Sequence, residues 1–185
     1  MFQELPALPV VLPLAAAAFV VLIWILRRRH LLSAPRAMVA LALCAYLAGI
    51  VANTIFPIFL DKPTVDKPWG AGLALVPLSD YEAADALMNV VVFVPLGCLI
   101  PLVLGSASLG RVVAVAAACS LTIEATQYVT IHLLDGGHIA DINDLIFNVI
   151  GAALGFGLLR ALSRIPGADR TIDRLRWIEP RAKGS

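Results

Sequence analysis

The 185-residue chain is 60% hydrophobic and 15% charged, a balance that excludes an ordinary soluble domain of this length. Its net charge of +1 is uninformative as a sum, because in such a chain the placement of charge between loops carries the information. Several stretches approach or exceed the roughly 20 apolar residues that a helix needs to cross a hydrocarbon core, and the strict alternation of barrel strands is absent. The expected fold class is therefore all-α, an integral membrane helical bundle.

In chain order, the sequence opens MFQELPALPV, with Glu4 and no Lys or Arg ahead of the first apolar run. It lacks the basic leader region of a cleaved signal peptide, so that run is read as a spanning helix. Five crossings are predicted, at about 8–26, 37–60, 87–104, 112–132 and 144–162. The 27–36 loop carries Arg27, Arg28, Arg29 and Arg36, and the 105–111 turn carries Arg111. The tail carries Arg160, Arg164, Arg170, Arg174, Arg176, Arg181 and Lys183, which leaves only Lys62 and Lys67 of the 14 basic residues on the other side. The positive-inside rule then predicts an N-terminus outside and a C-terminus in the cytoplasm.

Residues 1–166 read as a single transmembrane domain and 167–185 as a cytoplasmic basic tail. In that tail Ile172, Leu175 and Ile178 recur at helical spacing between Arg170, Arg174 and Arg176, which predicts an amphipathic helix drawn to anionic inner-leaflet lipid. The outer loop, roughly 61–86, holds Pro63, Pro68, Gly70, Gly72 and Pro77 with Asp61, Asp66, Asp80, Glu82 and Asp85. It reads either as a short cap over the bundle or as an ordinary acidic solvent loop. Cys44, Cys98 and Cys119 sit inside apolar runs without metal-ligand spacing and read as packing residues.

The buried polar residues are distributed asymmetrically. Asn89 lies near the outer start of the third helix, Glu124 and Gln127 in the outer half of the fourth, and Asp141, Asp144 and Asn148 lead into the fifth. Gln127 and Asn148 fall on the order of 7 Å below the outer surface at 1.5 Å per residue, with Glu124 about a turn deeper. The spacings i, i+3 and i, i+3, i+7 put each set on one helix face. Charged groups facing lipid are costly, so these sets are expected to converge on an outward-opening pocket between the third, fourth and fifth helices. No Lys or Arg shares the depth band of Glu124, which reads as a proton donor or as a neutral hydrogen-bond partner of Asn148. The bland alternative is interhelical glue, the common use of Asn and Gln in membrane helices.

Pro95, within NVVVFVPLG, frees the carbonyl of Val91, which either faces the pocket or only marks a packing kink. Gly151, Gly155 and Gly157 form a small-residue surface, GAALGFG, for close helix approach inside the bundle, with a homo-oligomer through Gly151 and Gly155 as the alternative. His132, Asp135, His138, Asp141, Asp144 and Glu124 share one side but match no established metal motif, so no metal or other cofactor is expected. No nucleophile elbow, phosphate loop, HExxH or nucleic-acid signature is present.

The ordered motifs ALVPL at 74–78, NVVVFVPLG at 89–97, IEATQ at 123–127 and DINDLIFNVIG at 141–151 resemble the VanZ-like membrane protein family over a motif-bearing core of 74–157. The resemblance implies a small multi-pass protein of the bacterial cytoplasmic membrane, some of whose relatives are associated with low-level resistance to the glycopeptide teicoplanin. The matching positions are Asn89, Pro95, Gly97, Glu124, Gln127, Asp141, Asp144, Asn148 and Gly151. Where the family often has Arg, three residues before the first Asp of the last motif, this chain has His138, which would make any contact there depend on histidine protonation.

The leading expectation is a pocket that binds an envelope amphiphile: a membrane lipid, a lipid-linked wall precursor or a lipoglycopeptide. Its ligand-binding candidates are Asn89, Glu124, Gln127, His138, Asp141, Asp144 and Asn148. Two alternatives stay open. One is an enzyme acting on an envelope lipid with Glu124 and Asp144 as acid and base; the other is an assembly partner without a ligand.

Overall fold

The structure, a computed structural model, describes residues 4–56, 58–59, 68, 70, 72–79, 81–105, 107–133 and 139–178. Five helices are long and apolar enough to cross a membrane: α1 (Ala7–Arg28), α2 (Ala34–Ile55), α3 (Ala83–Val103), α4 (Leu109–Leu133) and α5 (Ile142–Leu162). A short α6 (Ala168–Leu175) follows them. The five crossings agree with the sequence in number and order. The largest boundary shift is at α2, which ends at Ile55 because Phe56 is already extended, at φ −100° and ψ 150°. Phe56 precedes a proline, whose ring disfavours helical backbone in the residue before it.

Two small ladders, not foreseen from the sequence, tie the connections together. β1 (Glu4–Leu5) pairs antiparallel with β2 (Ile58–Phe59), Glu4 opposite Phe59. β3 (Leu73–Ala74) pairs parallel with β4 (Ala140–Asp141), Ala74 opposite Asp141. Each strand is two residues long, too short for any alternating pattern to register.

The tightest contact is between α3 and α5. A Cβ placed on Gly97 would fall onto the carbonyl of Ala152, one on Gly151 onto that of Val90, and one on Gly155 onto that of Val94. Side-chain-free backbone is thus required at three points along one seam. Around it Phe93, Leu96, Ile100, Val112, Ala116 and Ala152 form the central core, with α4 supplying two of the six. Of the two readings of this surface, packing inside the bundle is the one these contacts match: Gly151 and Gly155 are buried against α3 of the same chain. Gly157, by contrast, points into open space.

The end of the bundle where α1, α3 and α5 finish is basic and closed by the C-terminal segment. Arg36 donates through Nε to the Arg176 carbonyl at 2.7 Å, through Nη1 to Leu31 at 2.9 Å and through Nη2 to Ile178 at 2.7 Å. The Trp177 N–H donates to the Leu102 carbonyl at 2.8 Å. The apolar stripe of the tail helix is covered at least in part by protein: Ile172 is buried with Val39, Leu99, Leu102 and Leu159, and Leu175 packs against them. An apolar stripe looks the same in sequence whether lipid or protein covers it. Arg170 and Arg174 remain exposed.

If the seam requires bare backbone, Gly155→Ala is expected to lower stability by on the order of 1–3 kcal/mol through overpacking. Gly157→Ala is expected to leave it unchanged or slightly raised, since Ala favours helix and meets no neighbour. Thermal unfolding of both variants in the same detergent checks the pair; equal midpoints would refute the seam.

Candidate functional site

The opposite end of the bundle carries a cavity of about 880 Å3 bounded by α2, α3, α4 and α5. Six of the seven residues singled out from the sequence line it: Asn89, Glu124, Gln127, Asp141, Asp144 and Asn148. His138 and Asp135 lie outside the described residues. Convergence follows from the helix ends: α3 and α5 begin at this end, so their first turns meet across the glycine seam, while α4 finishes beside them.

The polar groups are linked by specific bonds. Asn89 Nδ2 donates to Asp144 Oδ1 at 2.5 Å, joining α3 to α5. Glu124 Oε2 accepts the backbone N–H of Asp141 at 2.8 Å, which fastens α4 to β4 just ahead of α5. Asp141 then acts as the N-cap of α5, its Oδ1 accepting from the Asn143 N–H at 2.8 Å, the usual means of satisfying the free amides of a first turn. Asn148 Nδ2 donates to Ser120 Oγ at 2.9 Å, with both residues buried. Of the two readings of Glu124, proton donor or partner of Asn148, the second is not seen: Glu124 accepts the Asp141 backbone N–H and Asn148 donates to Ser120. The two carboxyls read as an acid and base pair both line the cavity, but Glu124 Oε2 and Asp144 Oδ1 are already engaged.

Among the described residues, three buried oxygens along this wall accept no hydrogen bond: Glu124 Oε1, Gln127 Oε1 and Asn148 Oδ1. A buried polar atom without a partner costs roughly 1–3 kcal/mol, so such groups commonly mark a working site. The described lining includes five carboxylates, Glu82, Asp85, Glu124, Asp141 and Asp144, and no Lys, Arg or His. Among the described residues no cluster of three or more His, Cys, Asp and Glu is arranged to hold a metal ion. His132 Nδ1 instead lies 2.8 Å from the Tyr128 carbonyl and Nε2 3.4 Å from that of Pro68.

The pocket expected between three helices has a fourth wall. Ala45, Tyr46, Gly49, Ile50, Asn53 and Thr54 of α2 line it at helical spacing, and the buried Tyr46 hydroxyl has no partner. Gly49 followed by Asn53 in an otherwise apolar helix was the available signal. Asn143 was also missed as a structural centre. It is 1% exposed, accepts from the Leu78 N–H at 2.6 Å and donates to the Ser79 carbonyl at 3.3 Å. Leu78 has φ +58°, a left-handed conformation that costs a branched residue about 1–2 kcal/mol. Asn143 thus ties the end of the ALVPL turn to the start of α5. Tyr81 and Phe147 flank it with ring centroids 5.4 Å apart.

Five spanning helices around a polar cavity at one end define a multi-pass helical membrane protein. A family model described as VanZ/LLP1 matches residues 14–163, most of the chain, and the protein belongs to that family. No curated protein and no solved structure matches it.

Replacing Asn143 with Ala removes both bonds to the strained turn. It is expected to cost about 1 kcal/mol and to accelerate amide hydrogen exchange at Leu78, with exchange in the middle of α3 unchanged. Protection at Leu78 equal to wild type would show that the turn is held by something else.

Proposed function

We propose that the cavity binds an envelope amphiphile at the outer face of a bacterial cytoplasmic membrane and thereby contributes to glycopeptide resistance or envelope homeostasis. The observation that carries this reading is the division of the cavity lining. One part is a wall of carboxylates and amides, and the other, including Ile50, Val92, Phe93 and Ile123, is apolar. A polar head needs the first and an acyl or prenyl chain the second. A lipid head group, a lipid-linked wall precursor and a lipoglycopeptide such as teicoplanin all combine the two parts. The orientation is supported by the arginines gathered at the far end of the bundle, as the positive-inside rule requires of a cytoplasmic face.

Gly49 offers a clean probe, because it lines the cavity on the α2 wall and a Cβ added there meets nothing within 4 Å. Native mass spectrometry of detergent-released protein is expected to show a discrete amphiphile on the wild type that is lost in Gly49→Phe. In a resistant host the same variant is expected to abolish any teicoplanin protection while the protein still accumulates. Identical adducts on both proteins, or none on either after adding candidate lipids, would sink the reading.

A further inference from the structure

We infer that the cavity selects an amphiphile whose head carries a protonated amine and discriminates against a phosphate. This rests on the amphiphile reading above and narrows it to one head-group chemistry.

Three observations converge on that sign of charge. The first is the charge census: Glu82, Asp85, Glu124, Asp141 and Asp144 line the cavity and no cationic side chain does so among the described residues. Even with Glu124 neutral, Asp141 and Asp144 remain half-buried in the lining and Glu82 and Asp85 stand on its exposed rim; for the half-buried pair a like charge is repelled and an opposite one attracted more strongly than in water.

The second is valence. Glu124, Gln127 and Asn148 are 7%, 9% and 3% exposed; the unmatched amide oxygens of Gln127 and Asn148 are acceptors, and Glu124 Oε1 is a third when its carboxyl is ionised. The amide of Asn148 is oriented by its Nδ2 bond to Ser120, so its oxygen is the free end. An ammonium group brings three donors, whereas a phosphate at neutral pH brings mainly further acceptors.

The third is the start of α5. A helix N-terminus is ordinarily an anion site, because its amides and dipole favour negative charge. Here Asp141 turns its own carboxylate onto the Asn143 amide, and Asp144 occupies the first turn. The positive end of the helix is thus screened by carboxylates of the protein itself. The aromatic pair Tyr81 and Phe147, which also lines the cavity, adds faces to which a cation but not an anion is attracted.

The test uses full-length protein in phosphatidylcholine nanodiscs with EDTA and three probes sharing one alkyl chain: decylamine, decyl phosphate and decyl glucoside. Gly49→Phe supplies the background from partition into the bilayer. Decylamine is expected to bind at least about tenfold more tightly than decyl phosphate, a difference of one decade in Kd. Glu124→Gln and Asp144→Asn should each reduce that preference severalfold while leaving the thermal midpoint near wild type. Both variants keep an oxygen to accept from the Asp141 amide and from Asn89, so they remove charge without removing the bond. Phosphate binding as tightly as the amine, or a preference that survives both substitutions, would overturn the inference. Specific binding of the glucoside or phosphate without the amine would overturn it while leaving the amphiphile reading intact. Specific binding of none of the three would overturn both.

Discussion

Everything at the polar end depends on how closely α3 and α5 approach. Inside lipid there is no hydrophobic force to drive two apolar helices together, so close backbone packing and a few interhelical hydrogen bonds must do it. Gly97, Gly151 and Gly155 remove the side chains that would stand between the two backbones. With that spacing set, Asn89 can reach Asp144 across 55 residues of sequence. A wider spacing would leave both groups facing a gap.

The rest of the site is built outward from that seam. Glu124 reaches from α4 to the amide of Asp141, and Asp141 in turn caps α5, so a single carboxylate fixes both the fourth helix and the entry to the fifth. Asn143 extends the same scaffold to the ALVPL turn. Most polar contacts here are therefore between side chain and backbone. They define where elements begin and leave other oxygens of the same residues directed to the cavity.

The helices were legible because five apolar runs of membrane length leave little freedom, and the polar set because its members repeat at helix-face spacing near helix ends. The α2 wall was not legible for a related reason. Tyr46, Gly49 and Asn53 lie in a helix whose apolar residues surround it almost evenly, so sequence alone cannot say which face turns inward. Asn143 stands between Asp141 and Asp144 but on another face, and nothing in its spacing marks it as buried. The bond to Asn148, one of the two readings of Glu124, is not formed because similar depth does not decide between a side chain and a nearer backbone amide. The tail helix was found from its periodicity, whereas its burial against Leu99 and Leu159 required knowing where the chain returns.

At the basic end, the clamp made by Arg36 has a consequence for the order in which the protein is completed. Its guanidinium is synthesised early, yet the carbonyls of Arg176 and Ile178 that it binds lie 140 and 142 residues later. A nascent chain carrying all five spanning helices but ending before residue 176 would hold this arginine with only the local Leu31 carbonyl to receive it. Val39 and Tyr46 of α2 already pack on α3 and its neighbours without the tail, so the hairpin and the α3–α5 seam can assemble first, and the Arg36 clamp closes over them only when residues 176 and 178 arrive.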